Sequence, residues 1–139
     1  IGMPRSAYAW RTPHPEFCRF ANASRVVLSL HRDFSTSPGA RTMATTPGPR
    51  LFEVAMAGGF QLVDGSLPEV ARYFEPDKEI VTFNGPEDCL EKLRHYLAHP
   101  RERVAIAQAA QRRAIAQHTY AQRIDSIMKS IDATGPRRN

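Results

Sequence analysis

The sequence predicts an α/β domain, a parallel sheet followed by C-terminal helices. Three observations carry that prediction. Short apolar, β-branched runs recur at residues 25–31, 60–64 and 79–83. Segments with helical character separate them, and an alanine-rich helical stretch follows the last run. Strands that alternate with helices favour parallel pairing, because each parallel connection needs a crossover long enough to hold a helix.

Residues 1–20 carry Pro4, Pro13 and Pro15 with no hydrophobic period and are expected to be an irregular lead-in. The run Arg25-Val26-Val27-Leu28-Ser29-Leu30-His31 is expected to be a buried strand. Residues 32–49 hold Ser35, Thr36, Ser37, Pro38, Gly39, Thr45, Thr46, Pro47, Gly48 and Pro49, which predicts a long polar loop. Compact domains rarely keep such a loop without a use for it. Gly48-Pro49 marks a helix start, since proline at the first helical position gives up no hydrogen bond. Leu51 to Ala57 continue that helix, and Gly58-Gly59 end it.

A second strand is expected at 60–64 and a short helix at 67–74, with Ser66 and Glu69 forming a capping box. A third strand falls at 79–83, and Asn84-Gly85-Pro86 turns the chain into a helix over 87–98. In that helix Leu90, Leu93 and Leu97 have the spacing of a buried stripe. Pro100 opens a helix to about residue 117, with Val104, Ile106, Ala110 and Ile115 suited to close packing. A last helix covers 120–132, with Tyr120, Ile124, Ile127 and Ile131 on one face, and 134–139 form a polar tail. Three strands are few for an independent sheet of this kind, which predicts that part of the domain lies upstream.

With 139 residues the chain is large enough for one domain with a core and too short for two full-sized ones. No apolar run approaches the roughly 18 residues of a membrane span, and no signal peptide is evident. Cys18 and Cys89 are its two cysteines, so a disulfide scaffold is excluded and a reduced, cytoplasmic setting is expected. The net charge is +5, and 16 of the 19 basic residues are arginines. They are scattered through every segment, as on a solvated surface, without the aromatic interleaving of a nucleic-acid platform. No nucleic-acid partner is expected.

Ligands of open parallel sheets bind beyond the carboxyl ends of the strands. The first strand runs into the long loop there, and the loop leads to the helix that opens at Pro49. Amide groups around Gly48 to Leu51 and the positive end of the helix dipole favour a phosphate at that point. Arg50 lies in the first turn, where a guanidinium can grip a phosphate. Glu53 follows between Phe52 and Val54, where a carboxylate needs a partner such as a pair of sugar hydroxyls. The plainer alternative is a local Arg50–Glu53 ion pair three residues apart.

Other clusters promise less. Glu91, His95 and His99 recur every four residues, and two such imidazoles can bind zinc. Without a further ligand they read as an exposed polar face, and no metal site is expected. His118 with Tyr120 reads as a helix junction, Asp64 as a cap of the turn after the second strand, and Cys89 as a packed thiol. The chain has no P-loop, dinucleotide fingerprint or nucleophile elbow.

The stretch Pro49-Arg50-Leu51-Phe52-Glu53-Val54-Ala55-Met56-Ala57-Gly58-Gly59-Phe60-Gln61-Leu62-Val63-Asp64 resembles the signature of group 1 glycosyltransferases of the spore-maturation-protein (CgeB-like) type. Further resemblances come in order. They are Val27 to Arg32, Phe74-Glu75-Pro76 with Glu79 to Phe83, the helix from Glu87 to Leu97, Pro100-Arg101-Glu102-Arg103 with Ile106-Ala107, and His118-Thr119-Tyr120 with Arg123. They cover roughly residues 20–132. The resemblance implies a GT-B enzyme, two Rossmann-like domains facing a cleft, of which 21–133 would be the C-terminal, donor-binding one. It further implies that Glu53 holds the ribose of a nucleoside diphosphate sugar and that Arg50, with Gly48 and Leu51, faces the diphosphate. Related retaining enzymes place a second glutamate eight residues before the first; here that position is Thr45, which leaves the sugar open. The family pattern calls for no metal or other cofactor. An acceptor and any catalytic base, unidentified in this chain, would belong to a missing N-terminal domain. Two rival readings are a non-catalytic nucleotide-binding module that kept the fold and, on charge alone, a nucleic-acid-binding domain.

Overall fold

The computed structural model of the chain describes residues 13–30 and 46–134. Its elements run α1 (His14–Ala23), β1 (Val27–Ser29), α2 (Arg50–Met56), β2 (Gln61–Asp64), α3 (Val70–Tyr73), β3 (Val81–Phe83), α4 (Gly85–Ala98), α5 (Pro100–Gln117) and α6 (Tyr120–Thr134). The strands form one sheet in the order β1-β2-β3, parallel throughout, with Leu28 opposite Leu62 and Leu62 opposite Val81. The α/β class and the parallel sheet agree with the sequence reading.

Side chains alternate across a strand, so the central strand feeds two cores. Val63 joins Leu51, Phe52, Ala55, Phe74 and Ile80 on one face. Leu62 joins Phe60, Val81, Phe83 and Tyr96 on the other. Helix α5 reaches both, with Ile106 and Ala107 in the second cluster and Ala110 and Ala114 in the first. Its alanines present little side chain, which lets the helix backbone come close. Val104 and Ile115, expected to pack, are exposed instead.

Four other expectations change. The lead-in expected to be irregular contains α1, which opens directly after Pro13. Its Pro15 falls in the first turn, where a missing N–H costs nothing. Among the described residues β1 lies at the edge of the sheet, with Leu28 in it and Leu30 just beyond it exposed, because burial there depends on a neighbour that the local pattern does not reveal. The 67–74 helix shortens to α3, and the Ser66–Glu69 capping box does not form, because the helix opens three residues later with Glu69 at its own boundary. Glu69 instead accepts a hydrogen bond from the Thr46 hydroxyl at 2.9 Å. In α4 the inward stripe is Cys89, Leu93 and Tyr96, while Leu90 and Leu97 are 46% and 43% exposed. A 3.6-residue period fits both stripes, and the position of the sheet chooses between them. The stripe on α6, including Ile124, Ile127 and Ile131, is exposed among the described residues.

Helix α2 is fixed at its end by other elements. Asn22 of α1 donates to the Ala57 carbonyl at 2.9 Å, and Gln111 of α5 donates to the Met56 carbonyl at 2.9 Å. These side chains satisfy carbonyls that a helix terminus leaves without partners. The chain then reverses at Gly58, whose φ of 74° suits glycine, and passes so close to α1 that a Cβ on Gly59 would lie 2.7 Å from the Ala21 carbonyl oxygen. Helix α4 is fixed at its start. Asp88 accepts from the Asn84 N–H at 2.7 Å and from Lys92 Nζ at 3.0 Å, and Lys92 also donates to the Thr82 carbonyl in the middle of β3. The backbone N–H bond, followed by the lysine, holds the Asp88 carboxyl below the usual carboxylate range.

Two outcomes follow. Gly59→Ala lowers stability by about 1–3 kcal/mol, as overpacking against backbone does, read by urea unfolding. Asp88 has a lowered folded-state pKa, so its contribution is complete above the unfolded value of about 3.9 and is lost as pH falls through the folded value. Asp88→Asn therefore lowers the melting temperature at pH 7, and the difference from the parent shrinks in melts taken at progressively lower pH below 4.

Candidate functional site

The residues singled out in the sequence meet at α2. Leu51, Phe52, Val54 and Ala55 turn into the core. That leaves Arg50 and Glu53 on the outer side, their side chains 60% and 31% exposed. Helical geometry puts positions three apart on the same face. The Arg50 Nε lies 3.8 Å from Glu53 Oε2, a loose contact without close hydrogen-bond geometry. The Arg50 guanidinium also stacks 4.0 Å above the Phe17 ring of α1. The local ion pair foreseen as the plainer alternative is thus present, but weak and open to solvent.

Glu53 borders a cavity of about 730 Å³, whose wall also includes His14, Cys18, Phe52, His118, Tyr120 and Arg123. Most of its lining is apolar, with a few polar groups, which is the usual make-up of a small-molecule site. Arg123, on the first turns of α6, lays its guanidinium 4.3 Å over the Phe52 ring. The sequence reading named Arg123 only as part of a closing motif. Its place beside Glu53 depends on α6 folding back toward α2, which local periodicity does not encode.

His118 is held at the α5–α6 junction, as the sequence suggested. Its Nε2 donates to the Tyr73 carbonyl at 3.0 Å, and its ring meets Phe52, Tyr73 and Phe74 edge-on at centroid distances of 5.2, 5.7 and 5.4 Å. Asp64 acts as the expected turn cap, accepting from the Ser66 N–H at 2.9 Å. Cys89 packs against the second cluster. The amide donors proposed around Gly48 to Leu51 are partly engaged, since the Leu51 N–H bonds to the Gly48 carbonyl at 3.2 Å and the Phe52 and Glu53 N–H groups to that of Pro49. His31, Thr45 and residues 32–45 of the expected loop lie outside the described residues.

Beyond the strand ends a shallower cavity of about 510 Å³ is bordered by Leu30, Asp64 and Phe83 together with Cys89, Leu90 and Leu93 of α4. This second cavity is walled by α4, whereas the cavity bordered by Glu53 is walled by α2.

A Rossmann-like α/β unit with the Glu53 carboxylate and Arg123 on the wall of one cavity, and Arg50 beside Glu53 on the same helix face, fits the family suggested by its motifs. The chain belongs to the glycosyl transferase-like family, whose model matches residues 4–129. It is also similar to Spore protein CgeB of Bacillus subtilis strain 168, with 27% identity over 111 residues, covering 78% of this chain and 33% of that protein. The chain thus spans about a third of the length of that curated relative. No solved structure matches it. No helix among the described residues is long and apolar enough to cross a membrane.

The aromatic setting of His118 generates one expectation. His118→Ala removes the shorter of two hydrogen bonds to the Tyr73 carbonyl, the other coming from Arg113 Nε at 3.3 Å, and takes a ring from the cluster, so stability falls by about 1–2 kcal/mol in chemical denaturation.

Proposed function

We propose that this domain binds a nucleoside diphosphate sugar and serves as the donor-binding, C-terminal half of a GT-B glycosyltransferase. The observation that carries this reading is the outward Glu53 carboxylate at the rim of an apolar cavity that also holds Arg123. A carboxylate in such a place can accept two hydrogen bonds from the vicinal hydroxyls of a ribose. The apolar wall would receive the base. Arg50 and Arg123 supply positive charge for the diphosphate, whose negative charge grows as the glycosidic bond to it breaks. In this reading the charge is offset by protein groups without a metal or other cofactor.

The acceptor, the catalytic base and the rest of the cleft belong in this reading to a further, N-terminal domain. The span of one third of the curated relative supports that division. So does the exposed apolar stripe of α6. By the same reading the isolated chain binds donor but transfers sugar slowly or not at all, and acts in the reduced cytoplasm, where Cys18 and Cys89 stay free thiols.

The test is calorimetric titration with a panel of nucleoside diphosphates and their sugars. Saturable binding of one nucleotide is expected, weakened in Glu53→Ala by about 1–3 kcal/mol, the cost of losing hydrogen bonds to a charged group. Arg123→Ala weakens the diphosphate and its sugar but leaves the free nucleoside nearly unaffected. Binding that is indifferent to Glu53→Ala counts against the site. Binding that falls steeply with salt for any polyanion favours the charge-driven nucleic-acid reading instead.

A further inference from the structure

The end of α4 and the first turn of α5 bring together three groups that the donor reading does not use. His95 and His99 stand one helical turn apart, and Glu102 follows across the elbow at Pro100. One nitrogen of each imidazole and one Glu102 carboxylate oxygen lie within 4.8 Å of one another, and all three residues are exposed. None of them borders the Glu53 cavity. The sequence pattern placed Glu91, His95 and His99 on one face; the fold replaces Glu91 with Glu102 from the next helix.

The geometry within the cluster is that of ligands held ready. The imidazoles are stacked, with centroids 4.2 Å apart and planes 19° from parallel. His99 Nδ1 lies 2.7 Å from the His95 carbonyl oxygen. A carbonyl can only accept, so Nδ1 bears the proton and the opposite nitrogen, Nε2, keeps its lone pair. A histidine whose other nitrogen donates to a backbone carbonyl is the usual arrangement of a metal ligand, because that bond fixes both tautomer and ring orientation. His95 Nε2 donates to Glu102 Oε2 at 2.9 Å, and a metal ion binding between them would take the place of that proton. A tetrahedral zinc ion, with bonds of about 2.0–2.2 Å to nitrogen and oxygen, needs donor atoms roughly 3.3 Å apart, a small opening for two exposed side chains. Proline at the start of α5 keeps the elbow from swinging.

We propose that His95, His99 and Glu102 form a site for a zinc-class divalent metal ion that clamps α4 to α5. Two imidazoles and a carboxylate are a ligand set that suits zinc, and the exposed side leaves a coordination position for water. The site is structural. It joins the two helices whose inward faces complete the second core cluster, and it takes no part in donor binding.

The experiment titrates the metal-free chain with Zn²⁺ in competition with a chromophoric chelator, alongside His99→Ala, Glu102→Gln and Glu91→Gln. One ion per chain is expected, with affinity reduced at least about tenfold in His99→Ala and Glu102→Gln and unchanged in Glu91→Gln. Thermal melts should rise with Zn²⁺ in the parent and in Glu91→Gln only, since a ligand that binds the folded state stabilises it. All substituted positions are exposed, and circular dichroism checks that each variant folds. As a second readout, the ring-proton NMR signals of His95 and His99 should shift with one equivalent of Zn²⁺ while those of His118 stay in place. Absence of stoichiometric binding, or equal binding in all variants, would overturn the proposal.

Discussion

The carboxamide of Gln61 ties this domain together. It is 3% exposed, and with Ser29 it makes up the buried polar side chains among the described residues. Its nitrogen donates to the Leu51 carbonyl of α2 at 2.8 Å, and its oxygen accepts from the Ser29 hydroxyl of β1 at 3.1 Å. One side chain at the head of β2 thereby fixes both the neighbouring strand and the helix that carries Arg50 and Glu53. A buried amide left without partners costs about 1–3 kcal/mol, so the arrangement penalises any slide of α2 along the sheet. Apolar contacts alone tolerate such slides, because they have no direction. The position of the Glu53 carboxylate is therefore set by hydrogen bonds as much as by packing.

From that anchor the rest of the site is assembled by elements distant in sequence. Asn22 and Gln111 reach the end of α2 from opposite ends of the chain, and Phe17 and Phe52 hold the two arginines by their flat faces. Stacking on an aromatic ring restrains a guanidinium while leaving its N–H groups free to donate. On the proposed reading the arginines are oriented before the diphosphate arrives, which reduces the entropy lost on binding. The metal site proposed at the α4–α5 elbow follows a related logic, since a backbone carbonyl orients His99.

Much of this was legible in the residues, and the exceptions share a physical cause. Helix α5 begins at the proline and ends near the residue read from the sequence, because Pro100 and the loss of period after Gln117 are local signals. The strands and α2 were legible for the same reason, and with α2 came the position of Glu53 on its surface, three residues from Arg50. Helix α1 was obscured by its flanking prolines, although Phe17, Phe20 and Ala21 carry helical spacing. The α4 stripe was misassigned because Leu90 and Leu97 satisfy the period as well as Cys89 and Tyr96 do. Arg123 and Glu102 could not be placed in their clusters from the sequence. Each meets its partners through the angle between two helices, and that angle is a tertiary quantity.

The double role of α5 has a consequence for how the chain is made. Both faces of the sheet need residues between Ile106 and Ala114 to close their cores. On a ribosome, chains grow at about 5–20 residues per second and fold in units as they emerge. The strands here leave the exit before α5 does and must wait with both faces only partly covered, by α2 on one and α4 on the other. A chain exposed only as far as the residue before Ile106 would be a sticky, half-covered sheet, and it is during that interval that a holding chaperone would find most to bind.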